Sequence, residues 1–224
     1  RIGLRLGLGF TAVVAVFVAA VVIATTMTRA AEEGARQVAN ESMPFAILAE
    51  NMAFDAVQVQ QFLTDVSATH NKEALQDAEK AANKFLEGSV KFKEKYKREG
   101  DTKSLKEMED LEGAFGRYYR DGKQMAGVYL TEGTDAGNKI METFDRSAEE
   151  MTAMTSAFQK QQVDEAMTNA GIVLRSVGAI RTTLLLSCGV MIMLSALIAF
   201  SVTRSITRPM REVVAVAERL AQGN

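Results

Sequence analysis

The chain has 224 residues with 28 acidic and 26 basic side chains, so its net charge is close to zero, at -2. It contains one cysteine, Cys188, which excludes a disulfide bond within the chain. Two prolines, no tryptophan and no strand-like alternation of polar and apolar residues favour an all-α fold.

A long apolar stretch is the first predicted element. Residues 6–28 carry no ionisable side chain, and as a helix they would cover about 35 Å, enough to cross a hydrocarbon core of about 30 Å. A cleaved signal peptide is the alternative, but the stretch is too long and no small-residue cleavage site follows it. We therefore expect residues 1–5 to be a short cytoplasmic segment, followed by a first transmembrane helix.

The polar region, residues 29–181, is predicted to form four helices. Three breaks divide it, and they lie at residues 67–71, 98–101 and 131–135. Asn71 can cap the second helix, Gly100 suits the end of that helix, and Asp101 suits the start of the third. Between the breaks, apolar residues recur at steps of three and four. This pattern predicts an up-down-up-down four-helix bundle.

The unequal lengths of these helices predict a two-helix stem. The first and fourth would be about 63 and 70 Å long, whereas the second and third would reach only about 40–43 Å. The longer pair would then continue below the bundle as a stem, continuous with two transmembrane helices. Pro44 lies at the expected junction, level with Gly100, and is predicted to kink or restart the first helix there.

A second apolar stretch, residues 182–203, would reach about 33 Å as a helix and predicts a second transmembrane helix. Arginines flank the outer ends of both stretches, whereas residues 28–181 hold 26 acids against 20 bases. This bias places both termini in the cytoplasm and the middle of the chain outside. Because the chain opens on Arg and ends inside a helical pattern, we expect it to be an excerpt of a longer protein.

The last segment, residues 204–224, has the pattern of a coiled-coil seam that begins with a proline in its first turn. The seam consists of Ile206, Pro209, Val213, Val216 and Leu220. With its Arg208-Pro209 pair at the membrane exit and its ending at residues 217–224, the segment resembles the first helix of a HAMP domain, the signal converter of bacterial receptors.

With both apolar stretches and the predicted bundle, the whole chain resembles the N-terminal half of a bacterial methyl-accepting chemotaxis protein. Residues 58–69 and parts of residues 118–145 also look like segments of some bundle sensors. We expect a parallel homodimer, because two stem helices of one chain bury little surface and a second copy would complete a four-helix stem. The resemblance implies a location in the inner membrane, with the sensor domain in the periplasm. It further implies a small-molecule ligand or a periplasmic binding protein as a partner, and cytoplasmic signalling proteins as partners of an output domain; no nucleic acid is expected.

The sequence offers no basis for an enzyme, a cofactor or a metal. It has no Gly-rich phosphate loop, no G-x-S-x-G and no H-E-x-x-H. A single histidine cannot supply the two Glu-x-x-His pairs of a di-iron bundle, and Cys-x-x-Cys-His for haem is absent. His70 falls in a polar turn, where we expect it to be exposed. A solvated face is expected for Lys91, Lys93, Lys95 and Lys97 with Glu94.

The candidate ligand site centres on Asp55, which occupies a core-type position between Met52 and Val59. A carboxylate there is costly unless it is paired, and it would lie level with Arg117 and Tyr118 of the third helix. Two alternatives stay open, namely a polar ligand pocket in the distal half of the bundle and a slightly rotated helix with Asp55 at its edge. The other candidate pocket residues are Gln58, Gln61, Thr64, Tyr119, Asn138, Met141 and Asp145.

These observations favour a chemoreceptor input module. A ligand would favour one arrangement of the bundle and displace the fourth helix and second span, and HAMP would convert that movement into a change in the output domain. Pro44 and the seam residues are the expected relay. The rivals are the sensor half of a histidine kinase or cyclase with the same front end, and a membrane scaffold without a ligand. The HAMP-like ending argues against a scaffold.

Overall fold

A computed structural model describes residues 2–204 and Val214, and within them the chain is helical with short turns and no strand. The HAMP-like seam, from Ile206 to Leu220, lies outside the described residues. The helices are α1 (Ile2–Gln37), a π-helical turn (Val38–Ser42), α2 (Met43–Thr69), α3 (Glu73–Glu99), α4 (Thr102–Thr131) and α5 (Thr134–Val202).

The chain forms two compact units, and the first contains residues from both ends of the chain, within 1–35 and 171–224. Two helical runs, Gly7–Thr69 and Thr134–Val202, include stretches long and apolar enough to cross a membrane, judged by length and composition. Inside this unit the two chain segments lie close together at Gly9 and Ile198. A Cβ atom added to Gly9 would lie 3.2 Å from the Ile198 side chain. Large apolar side chains of both stretches point outward, as lipid-facing residues do.

The second unit, residues 36–170, contains four helical segments that pack against one another around one core. They are α2, α3, α4 and the N-terminal part of α5. Aromatic rings fill the centre, with Phe85 stacked on Phe115 at 3.9 Å and Phe92 edge-on to Phe158 at 4.8 Å between ring centroids. Aromatic pairs of this kind contribute about 0.5–1.5 kcal/mol beyond the area they bury. The predicted helical packing is thus present in this unit.

The helices of this unit end where the local chemistry predicts. His70 and Gly100 both adopt the left-handed conformation that closes a helix, with φ of 59° and 72°. The Asn71 side chain accepts a hydrogen bond from the backbone N–H of Glu73, and the Asp101 side chain accepts one from that of Ser104, each at 3.0 Å. The capping roles predicted for Asn71, Gly100 and Asp101 are therefore confirmed.

Pro44 is the second residue of α2, which begins directly after the π-helical turn Val38–Ser42. Proline lacks a backbone N–H, and its ring clashes with the carbonyl group four residues earlier. A π-turn is rare, occurs mostly as a single turn inside an α-helix, and often lies at functional sites. The helical run continues through Pro44 from Gly7 to Thr69, with the π-turn just before it; the predicted kink or restart and the role in signal relay stay predictions.

Candidate functional site

A surface groove of about 190 Å³ lies between α2 and α3 in the four-helix unit. Asp55, Gln58 and Phe62 of α2 line one side because residues three and four positions apart share a helix face. Ala81 and Lys84 of α3 line the opposite side by the same spacing. The groove therefore combines apolar walls with a carboxylate, an amide and an ammonium group.

Asp55 is the most deeply placed ionisable group of this groove, with 9% of its surface exposed. Among the described residues, no donor lies within hydrogen-bonding or ion-pairing distance of its carboxylate. Burial raises the pKa of Asp55, and the positive charge of Lys84 on α3 only partly opposes this effect. The side chain thus lies at the border of the core and opens toward α3; that it belongs to a ligand pocket stays a prediction.

Arg117 and Tyr118 of α4 do not join Asp55. The Tyr118 hydroxyl donates a 2.8 Å hydrogen bond to the backbone oxygen of Ala56, which places it level with Asp55, but its ring lies in the core. Burial raises the pKa of Tyr118 well above its usual range. Arg117 is exposed and lies 3.7 Å from Glu150 of α5. Neither side chain faces the groove between α2 and α3.

The remaining predicted site residues do not line this groove. Gln61 is exposed and accepts a 3.1 Å hydrogen bond from the Gln58 amide, which places it beside the groove. Tyr119 stacks on Phe115 of its own helix at 6.2 Å. Asn138 and Met141 both contact the hydroxyl group of Tyr129 beside the turn between α4 and α5. Thr64 and Asp145 are exposed. Of the ten predicted ligand residues, only Asp55 and Gln58 line the same groove.

Lys95 is the buried charge that the sequence interpretation missed. Its side chain is 4% exposed, and its ammonium nitrogen lies 3.4 Å from a Glu99 oxygen and 3.5 Å from a Glu165 oxygen. It also lies over the rings of Phe45 and Tyr96, at 5.5 and 5.1 Å from their centroids. The expected solvated face is therefore wrong for Lys95, although Lys91 and Lys97 are exposed.

A polar cluster surrounds the π-turn and includes Lys95. Glu41 of the turn forms an ion pair with Arg98 near the end of α3. Ser42, which is buried, accepts a 3.0 Å hydrogen bond from the Asn169 amide of α5. Burial raises the pKa of Glu99, Lys95 opposes this effect, and the nearby Glu41 carboxylate adds to it. We call this group, formed by Glu41, Ser42, Lys95, Arg98, Glu99, Glu165 and Asn169, the π-turn cluster.

No constellation for metal binding occurs in the described part of the chain, where no three or more His, Cys, Asp or Glu residues form a group that could hold an ion. The single histidine, His70, is exposed and closes the C-terminal end of α2. Comparison with protein-family models, with curated proteins and with solved structures found no match for this chain.

Proposed function

We propose that the chain is the input module of a transmembrane chemoreceptor of the bacterial inner membrane. One observation carries the proposal: the unit formed by residues 1–35 and 171–224 contains the membrane-length apolar stretches of two helical runs, and residues 36–170 form a separate four-helix unit. The groove beside Asp55 supports it further, because ligand sites combine apolar walls with a few polar groups whose pKa values are shifted.

In this proposal, residues 6–28 and 182–203 cross the membrane and residues 29–181 face the periplasm as an up-down-up-down bundle on a two-helix stem. Helix α5 is one helix from Thr134 to Val202, so it can carry a displacement along its axis. A ligand would shift it by about 1–2 Å, the scale of known helix movements in receptors. A HAMP-like segment at residues 204–224 would pass the movement to a cytoplasmic output domain that controls chemotaxis.

The ligand can shift the equilibrium between the two arrangements only by the difference in its affinity for them. Each tenfold difference in affinity is worth about 1.4 kcal/mol. A receptor of this kind needs no catalytic group, and none of its proposed steps uses a cofactor.

We further propose that the receptor is a parallel homodimer that packs through the outer face of α2. This face exposes Met43, Ile47, Phe54 and Val57 by half or more of their surface, and their spacing of four, seven and three is that of a coiled-coil seam. An exposed apolar stripe of this regularity is typical of a protein interface.

Disulfide cross-linking in membranes tests this interface. In a Cys188→Ala background, Ile47→Cys is expected to cross-link two copies on mild oxidation, because symmetric packing brings the two residues 47 together. Val90→Cys, on the outer face of α3 and similarly exposed, is the matched control and is expected to stay monomeric. Equal cross-linking at both positions would contradict the proposed interface.

Labelling of single cysteines tests the membrane topology. In the same background, a membrane-impermeant maleimide added to intact spheroplasts is expected to label Lys72→Cys, in the turn before α3, and to leave Gln222→Cys unlabelled until the membrane is permeabilised. Labelling of both positions before permeabilisation would exclude a receptor that crosses the membrane twice.

A further inference from the structure

We propose that the groove between α2 and α3 binds a small organic ammonium compound whose N–H groups donate hydrogen bonds to the Asp55 carboxylate. This inference rests on the proposed receptor function and deepens it by naming the chemical class of the ligand. It commits to the groove rather than to the scattered polar residues of α4 and α5.

The Asp55 carboxylate has no hydrogen-bond partner among the described residues. About nine-tenths of the surface of Asp55 is buried, while its carboxylate oxygens are not sealed from solvent. Buried carboxylates are normally paired or hydrogen-bonded, because the free energy of an unpaired one is unfavourable. Its carboxylate lines the groove, so a ligand can supply the donor that the protein does not. Ammonium groups form short, strong hydrogen bonds of this kind with carboxylates.

The walls of the groove beside Asp55 are apolar. Phe62 of α2 lines the groove together with Ala81 of α3. Their apolar surface suits an alkyl chain, and ring faces attract cations within about 6 Å. The volume of about 190 Å³ corresponds to roughly six water-sized groups at about 30 Å³ each. The ligand is therefore a compact amine with few non-hydrogen atoms.

Two lysines lie at the rim of the groove. Lys80 is already paired with Asp77 at 2.9 Å. Lys84 also lines the groove but is exposed, and it has no ion pair with Asp55 within 4.0 Å. Its ammonium group competes with a bound cation through the field that it exerts on Asp55. Removing this charge is therefore expected to strengthen the binding of an amine.

The larger cavity, of about 270 Å³ between α4 and α5, is a weaker candidate. Its walls are mainly Leu111, Met154 and Phe158, and its acidic residues, Glu107 and Asp110, are exposed. It contains no buried charged group that lacks a partner, so nothing in it selects one class of ligand.

The test uses the full chain in lipid nanodiscs and n-butylammonium as the probe. Binding is followed by the methyl NMR signal of Ala81 in protein labelled at alanine. We expect a saturable shift of this signal at probe concentrations on the order of millimolar, the affinity typical of so small a ligand. Butyrate, which has the same chain and the opposite charge, is expected to give no saturable shift. Equal effects of the two probes would overturn the proposal.

Three variants separate the proposed role of Asp55 from a general effect on the fold. Asp55→Asn is expected to weaken binding at least tenfold, whereas Asp164→Asn, an exposed change of the same kind on α5, is expected to leave it unchanged. Lys84→Gln is expected to strengthen it at least twofold. Thermal unfolding of each variant shows that the unit is folded. Unchanged binding in folded Asp55→Asn, or no saturable shift of the unmodified chain, would overturn the proposal.

The binding test and the topology test fail separately. If n-butylammonium binds through Asp55 but both cysteines are labelled on one side, the groove is a binding site and the receptor proposal falls. If the topology holds but no saturable shift occurs, the receptor proposal stands and the ammonium site is excluded.

Discussion

Replacing Lys95 by methionine isolates the contribution of one buried charge to the stability of the four-helix unit. Methionine keeps a long apolar side chain against Phe45 and Tyr96, so the packing of the lysine stem is largely preserved. The change removes the ammonium group, which lies within 3.5 Å of both Glu99 and Glu165. The difference in free energy of unfolding is therefore mainly electrostatic.

The magnitude follows from the exposure of the partners. Both glutamates are about one-third to one-half exposed, so each ion pair contributes only about 0.5–1 kcal/mol. The two contacts with aromatic rings add about 0.5 kcal/mol each at a partly solvated site. Burial of the ammonium group costs free energy that methionine does not incur, so Lys95→Met is expected to lower the free energy of unfolding by about 1–2 kcal/mol. For a unit of this size this corresponds to a melting temperature lower by about 5 °C.

Tyrosine fluorescence provides a selective assay for this change. The chain has four tyrosines and no tryptophan, and all four tyrosines lie within residues 36–170, so thermal unfolding of the full chain in detergent can be followed in this unit alone. Lys91→Met, an exposed change on the same helix, is the matched control and is expected to shift the free energy of unfolding by no more than about 0.5 kcal/mol. Equal melting temperatures of the two variants would refute the reasoning.

Three further predictions follow from the same structure. Asp55→Asn is expected to raise the melting temperature near pH 7 and to raise it less near pH 4. Burial raises the folded-state pKa of Asp55, so the wild-type side chain contributes stability at low pH. That contribution is lost as the pH rises through the folded-state pKa. A gain independent of pH would argue against an unpaired carboxylate. Gly122→Ala is expected to destabilise the unit by about 1–3 kcal/mol, since its Cβ would lie 2.6 Å from the Phe144 ring. A Cβ at Gly116, on the same helix, would have no neighbour within 4 Å. Gly116→Ala is therefore expected to stabilise by up to about 1 kcal/mol, and equal melting temperatures would contradict the close contact. Pro209→Ala is expected to alter signalling while ligand affinity changes little; an equal loss of both would count against a relay role.

The helix boundaries could be predicted from the sequence because local chemistry determines them. Gly100 adopts a positive φ, and Asp101 accepts a hydrogen bond from a backbone N–H three residues later; both roles depend only on neighbouring residues. The apolar periodicity likewise identifies the helices that pack around the core. These features require no knowledge of which helix lies beside which.

The candidate site was harder to predict because it depends on the rotation of each helix. Lys95 belongs to a run of alternating lysines, and only its position three residues after the buried Phe92 places it toward the core. That spacing was a usable signal for its burial. Asp55 was recognised as a core-type position, but its neighbour in space, Lys84, lies on α3 rather than on α4 as expected. The spacing of residues along the sequence therefore predicts whether a side chain is buried better than it predicts which helix that side chain faces.

In a receptor of this kind, the π-turn cluster is a place where the helices could switch between two arrangements. The turn contributes Glu41 to an ion pair with α3 and Ser42 to a hydrogen bond with α5. If the turn changed to regular α-helix, the register of the preceding residues would move by one position, and both contacts would break together. Changes that are all-or-none in this way are what convert small displacements into two discrete states. Pro44, two residues after the turn, disfavours the regular form because its ring would clash with the carbonyl group four residues earlier. Under the proposed function, Pro44 therefore biases the equilibrium between the two arrangements, and a ligand need supply only the remaining difference in free energy.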